Sequence, residues 1–385
     1  MQALYAQAKQ QAERLEAEVT LAKSGAATAA FEAASSSEAG GVPESNPAAR
    51  WRGRGLPPLS PRGHGSSSAG STQGLPLQAP SPPPMRAGAA KALVAATAGA
   101  RGVAGLAQLF EQHPHDPDLL ARAARAVKDL CASSTARDGQ RSGSSGQAAP
   151  VDPGAVARVA VGASGLCGLL CAAMAAHPTH LALQREGCRA AGNASFGSDA
   201  NRRRLGAAGG CACVVASLRV SAGAAHDAEL GAAACAALCN LAHGGSGNGE
   251  LLERAGAAGA VCAGMRAWPL DARVQKQACW ALLTLAASDP LAAQARKAGG
   301  AAALVAALVN CPRDAAVQHF GCWALANLTW DSGGGAPGRG AAGGAAADAR
   351  AQGAEEVCRA AARRFPNHPG VVEKASLALE HMGAV

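Results

Sequence analysis

Aromatic residues are scarce in this chain, at 3% of 385 residues with a single tyrosine. A core must therefore be assembled from small aliphatic side chains. The apolar fraction of 49% comes mostly from alanine, with leucine and valine behind it, material suited to helices that approach closely. The same scarcity leaves little for stacking on bases, and no Lys/Arg block is longer than Arg202 to Arg204. A net charge of +8 then favours acidic partners without implying nucleic acid. No run of about 18 apolar residues is present to span a bilayer, and no charged start followed by an apolar core marks an export signal. The thirteen cysteines all lie after residue 130 and show no framework spacing, so a reducing, soluble, cytoplasmic setting is the expectation.

Catalytic signatures are missing as well. "GGSGNGE" and "GGGAPGRG" lack the Lys-Ser/Thr of a phosphate-binding loop, and "GASGL" has Leu166 where a nucleophile elbow needs glycine. Cys235, Cys239 and His243 share a helical face, but Cys188, Cys235, Cys279 and Cys322 recur in one packing column that other copies fill with Ala124 and Ser376. Small buried thiols explain that recurrence better than metal ligation does. The expectation is a non-enzyme with no cofactor and no metal.

What the chain does have is periodicity. "CWALANLTW", Cys322 to Trp330, nearly repeats "CWALLTLAA", Cys279 to Ala287. With Asn327 as reference, the same context recurs at Asp129, Asn193, Asn240, Thr284 and His381, with spacings of 47, 44 and 43 through the central copies. Three residues before the reference all six copies have alanine: Ala126, Ala190, Ala237, Ala281, Ala324 and Ala378. Six before, all are alanine or glycine. Ten before, all are aliphatic: Leu119, Leu183, Leu230, Val274, Val317 and Val371. These offsets trace the buried stripe of an amphipathic helix. Proline lies fifteen before the reference in five copies, at Pro114, Pro178, Pro269, Pro312 and Pro366, and Ala225 takes its place in the third. Glycine precedes four of those prolines by thirteen residues, at Gly165, Gly256, Gly299 and Gly353. Two copies fit N-x-x-x-L-x-x-A-G, Asn201 to Gly209 and Asn248 to Gly256. Each unit thus reads as a short helix, a second and a third.

Residues 1–34 read as an N-terminal helix. Residues 35–87 form a linker expected to be disordered, since ten of the 21 prolines fall there amid Gly and Ser. Residues 88–385 hold the repeats, with loop inserts near 132–153 and 331–349.

Period and residues together resemble the armadillo repeat, most closely in "NRRRLGAAGG", "ELLERAGAAGAV" and "VQKQACWALLTLA". The resemblance implies an all-α fold, a right-handed α-solenoid of about six stacked units, with third helices lining a concave groove that binds an extended partner segment. On a third helix the reference residue and those four and eight before it share one face. Those rows supply the candidate partner-binding residues: Arg125, Arg185, Arg189, Asn193, Asn240, Lys276, Trp280, His319, Trp323 and Asn327. Import adaptors of this family hold basic signals with repeated Trp and Asn at this spacing. Here only Trp323 and Asn327 form the full pair, and Arg125, Arg185, Arg189 and Lys276 would repel basic cargo. A protein scaffold or adaptor is expected, taking an acidic or phosphorylated extended segment through a monomer or a hetero-complex, with neither nucleic acid nor membrane as partner. The alternatives are a structural subunit of a ciliary or cytoskeletal assembly, a nuclear-import adaptor, or a regulatory partner of a kinase.

Overall fold

The computed structural model describes residues 102–132, 152–223, 225–244, 246–330 and 344–384. The expected N-terminal helix, the Pro-rich linker, residues 88–101 and most of both inserts lie outside the described residues. Within them there are α-helices and no strand. A first pair, α1 (Gly102–Gln112) and α2 (Pro117–Leu130), is followed by five triplets. The second unit is α3 (Pro153–Ala163), α4 (Leu166–Ala176) and α5 (Leu181–Ser195), and the third is α6 (Asp199–Ala207), α7 (Gly210–Ala222) and α8 (Ala228–Ala242). The fourth is α9 (Gly249–Ala255), α10 (Ala257–Ala267) and α11 (Ala272–Leu285), and the fifth is α12 (Asp289–Lys297), α13 (Gly300–Asn310) and α14 (Ala315–Thr329). The sixth is α15 (Ala345–Ala351), α16 (Ala354–Arg364) and α17 (Pro369–His381), so a helix begins inside the second stretch expected as an insert. No single described helix is long and apolar enough to cross a membrane.

Third helices stack in order, α2 on α5, α5 on α8, α8 on α11, α11 on α14 and α14 on α17. The small column six before the reference lets them and the second helices approach. A Cβ on Gly321 would lie 2.7 Å from Leu308 Cδ2, and one on Gly187 would lie 2.7 Å from Met174 Sδ. Where the second helix offers a long side chain the third offers none, which is how an alanine-rich chain reaches native packing density. The aliphatic column from Leu119 to Val371 is fully buried, each member contributing about 1.5–3 kcal/mol of apolar burial.

Local signals end and start the helices. Gly165, Gly209, Gly256, Gly299 and Gly353 join first to second helices at φ of 73–85°, a left-handed turn that glycine takes without a Cβ clash. Every third helix is N-capped thirteen residues before the reference, by Asp116, His180, Asp227, Asp271, Asp314 and His368. Their side chains accept from the amides of Leu119, Leu183, Leu230, Val274, Val317 and Val371 at 2.9–3.3 Å.

A further device pairs proline with glutamine. The carbonyls of Met174, Met265 and Leu308 fall four residues before Pro178, Pro269 and Pro312, which have no N–H to give them. Gln184, Gln275 and Gln318 each donate Nε2 to that carbonyl, at 2.8, 2.8 and 2.9 Å, and to a second one three residues on. The pairing is confined to the second, fourth and fifth units; the first and sixth keep Pro114 and Pro366 but have Leu120 and Val372 at the glutamine position, and the third lacks both residues. It has Ala225 in place of proline and Gly231 in place of glutamine, and the Ser221 carbonyl accepts from Asp227 N–H at 3.1 Å instead.

Candidate functional site

The face made by consecutive third helices carries all ten sequence-predicted residues, but they do not stand alike. The row four before the reference and the row eight before are half-exposed or exposed from Arg185 onward. Apart from Asp129 in the first unit, which is exposed, the reference row is not an exposed one: Asn193, Asn240, Thr284 and His381 are buried, and Asn327 is half-buried. The reason is that its donors are already engaged. Asn193 Nδ2 donates to the Lys128 carbonyl at 2.9 Å, Asn240 Nδ2 to Gly192 at 3.0 Å and Asn327 Nδ2 to Leu283 at 3.2 Å. His381 Nδ1 makes the same link to Ala326 at 2.8 Å. Each reaches the residue just before the reference of the preceding unit. The row therefore stitches third helix to third helix, and only Thr284, bonded to its own Trp280 carbonyl, breaks the ladder.

A second register governs the row above. The residue four before the reference meets, across the stack, the residue seven before the reference of the next unit. Arg125 Nη2 donates to Glu186 Oε1 at 3.1 Å, the Trp280 and Phe320 rings lie 4.2 Å apart, and Lys374 Nζ stands 4.4 Å over the Trp323 ring. Trp323 thus already holds a cation from its own chain, and Trp280 is already covered on one side. His319 packs edge-on to Phe320 and Trp323, and burial lowers its pKa below the ordinary value, so it is neutral at pH 7.

The arginines form a lattice rather than a free basic stripe. Glu186, buried, takes Arg125, Arg189 at 3.0 Å and, at 3.9 Å, Lys128. Asp227, the N-cap of α8, takes Arg185 Nη2 at 2.6 Å. Glu229 and Asp129 complete four carboxylates against four cations, Arg125, Lys128, Arg185 and Arg189, so the cluster carries no net charge. Lys276 has no ion-pair partner among the described residues. Between the arginines and Trp280 the third unit presents only Ala232 and Ala236, half-exposed, a low floor flanked by tall side chains.

The cysteine column Cys188, Cys235, Cys279 and Cys322 is wholly buried inside this wall. Burial pushes the thiols of Cys188 and Cys235 up to about 12. No group of three or more His, Cys, Asp or Glu among the described residues is placed to hold a metal ion.

Similar structures are known for this arrangement of helices. The chain superposes on two engineered proteins solved by a structural genomics consortium, each with a TM-score of 0.54 at 24% identity. The superpositions cover 73% and 74% of this chain and 99% and 97% of theirs. It also superposes on a designed armadillo repeat protein solved in complex with the peptide (KR)4, with a TM-score of 0.52 at 19% identity, over 73% of this chain and 99% of that one. The fold is an armadillo-type solenoid. No protein-family profile and no curated protein matches the sequence. The periodic small-residue, glycine and proline columns had already placed this solenoid's third helices, and the N-cap column and the proline–glutamine pairing were present in the sequence at fixed offsets as well.

Proposed function

We propose that the chain is a non-catalytic scaffold that seats an extended segment of another protein along its third-helix face, over the second to fifth units. The observation that carries this reading is the composition of the half-exposed rows. Arg185, Arg189, Lys276 and Trp280 rise around the alanine floor of Ala232 and Ala236, on helices fixed by the asparagine ladder and by side-chain N-caps. Ordered cationic and aromatic side chains around a shallow seat are what hot-spot recognition uses. The peptide held by the designed neighbour supports a peptide segment as the form of the partner.

The chemistry of the seat favours a segment with an anionic group at the arginine end and an apolar group at Trp280. Basic cargo is disfavoured at Trp323, whose face is already occupied by Lys374. Asn193 and Asn240 hold the wall rather than the peptide, so the working residues are Arg185, Arg189, Lys276 and Trp280. The test is a pull-down from native lysate with the full chain beside its Arg189→Ala, Lys276→Ala, Trp280→Ala variant. Partners carrying acidic or phosphorylated extended segments should be captured by the wild type and lost from the variant. Equal recovery by both would move the function off this face and favour the structural-subunit alternative.

A further inference from the structure

Arg185 and Arg189 are held in an unusual way. Each guanidinium is fixed on its inner side by a separate, largely buried carboxylate: Arg185 Nη2 by Asp227 at 2.6 Å, Arg189 Nη1 by Glu186 at 3.0 Å. Their remaining terminal nitrogens, Arg185 Nη1 and Arg189 Nη2, converge on a single oxygen. That oxygen is Glu229 Oε2, at 3.5 Å from both. The distance suits ion pairing and is too long for a good hydrogen bond, and the Glu229 side chain is 50% exposed. Two pre-positioned donors therefore face an anion position, filled by a loosely held carboxylate that solvent can reach. The column seven before the reference, which supplies Glu186, Phe320 and Lys374 as covers elsewhere, is Ala233 in this unit, so nothing else closes the position.

We propose that Glu229 is a resident competitor for the Arg185–Arg189 pair, and that it limits anion recognition in the seat to phosphorylated segments. This rests on the reading of the third-helix face as a peptide seat. A partner's Asp or Glu offers the two guanidiniums no more than Glu229 already does, so the exchange gains nothing. A phosphoserine or phosphothreonine brings about −1.5 to −2 charge and three acceptor oxygens, enough to satisfy both free edges at hydrogen-bond distance. The competitor thus converts a site that any acidic side chain would use into one that opens on phosphorylation. Arg185 and Arg189 lose no anchoring when Glu229 swings out, because Asp227 and Glu186 remain in place.

The probes are three degenerate peptide pools of equal length with phosphoserine, glutamate or serine fixed at the centre, titrated by fluorescence anisotropy against the full chain. Wild type should bind the phosphoserine pool about tenfold more tightly than the serine pool and the glutamate pool no better than serine. Glu229→Gln, which keeps the side chain's size, should leave thermal unfolding nearly unchanged. It should also raise the glutamate pool about three- to tenfold over serine while strengthening the phosphoserine pool by a similar factor. Arg189→Ala should erase the phosphoserine advantage. If Glu229→Gln leaves glutamate equal to serine while phosphoserine is still preferred, the competitor role is wrong and the peptide seat stands. If Arg189→Ala changes nothing, or no pool binds either protein, the seat itself is wrong. Inorganic phosphate binding as tightly as the phosphoserine pool would make the position one for a free anion and overturn the peptide part.

Discussion

Removing the side-chain amide of Gln275 should destabilise the fourth unit far more than loss of an ordinary surface residue. The Met265 carbonyl, near the end of α10, faces Pro269 four residues on and receives no amide from it; Gln275 Nε2 supplies the donor at 2.8 Å and gives a second hydrogen bond to Trp268 O at 2.7 Å. Gln275 is buried, so water does not take over freely. Gln275→Ala leaves Met265 O unsatisfied, at about 1–3 kcal/mol. The Trp268 carbonyl keeps its bond from Asp271 N–H, so the second loss is only about 0.5–1.5 kcal/mol, for a total of about 2–4 kcal/mol. Urea unfolding of the full chain reads the change as a lower midpoint, and amide exchange in α10 and α11 localises it, since solenoid units unfold with some independence. The decisive control is Pro269→Ala in the Gln275→Ala background, which restores a backbone N–H at the position the carbonyl lacks. Recovery of about 1 kcal/mol or more is expected. A Gln275→Ala cost below about 0.5 kcal/mol, or no recovery from Pro269→Ala, would refute the pairing.

Other outcomes follow from the same packing. Gly321→Ala should cost about 1–3 kcal/mol because its Cβ meets Leu308 Cδ2 at 2.7 Å, and an unchanged melting temperature would refute the close approach. Asp227 provides a pH test. Burial alone would raise its carboxyl, but hydrogen bonds from Leu230 N–H and Arg185 hold it below its ordinary 3.8. With the folded value depressed, its stabilisation is complete above the ordinary value and is lost as pH falls through the folded one. Urea midpoints measured from about pH 5 down to about pH 2 should therefore fall less steeply in Asp227→Asn, and equal slopes would count against the Arg185 pair. Among the thirteen thiols only Cys213 is half-buried and the rest are buried, so maleimide at neutral pH should label at most that one before unfolding. Rapid native labelling of several thiols would show that the cysteine column is open.

The solenoid was legible because its spacing rules are one-dimensional. Alanine at three before the reference, small residues at six and aliphatics at ten recur in every copy, and the prolines and glycines mark where helices stop. The caps were harder to see, since Asp and His share the position thirteen before the reference and differ in chemistry while both accept an amide. Glutamine occurs in three of the five copies that carry the proline, so its role shows only where the structure sets its amide against the carbonyl that the proline leaves without a donor. In sequence the asparagine row reads as an exposed row for a peptide because its side of the helix is polar. That Asn193 and Asn240 turn to a neighbouring helix depends on how far one unit is shifted against the next, which no single helix pattern contains. The same shift brings Glu186 under Arg125 and Lys374 over Trp323, so a row that reads as free basic and aromatic side chains is in part already paired.

The most direct test of the account is where a partner touches the chain. A photo-crosslinking amino acid placed at Ala236, on the floor between Arg189 and Trp280, should capture a partner in native lysate. The same group at Val309, which is 58% exposed on a second helix of the fifth unit, should not. Arg189→Ala with Trp280→Ala should abolish the Ala236 product. Crosslinks that form from Val309 and not from Ala236 would contradict a seat on the third-helix face and assign the working surface to the outer helices.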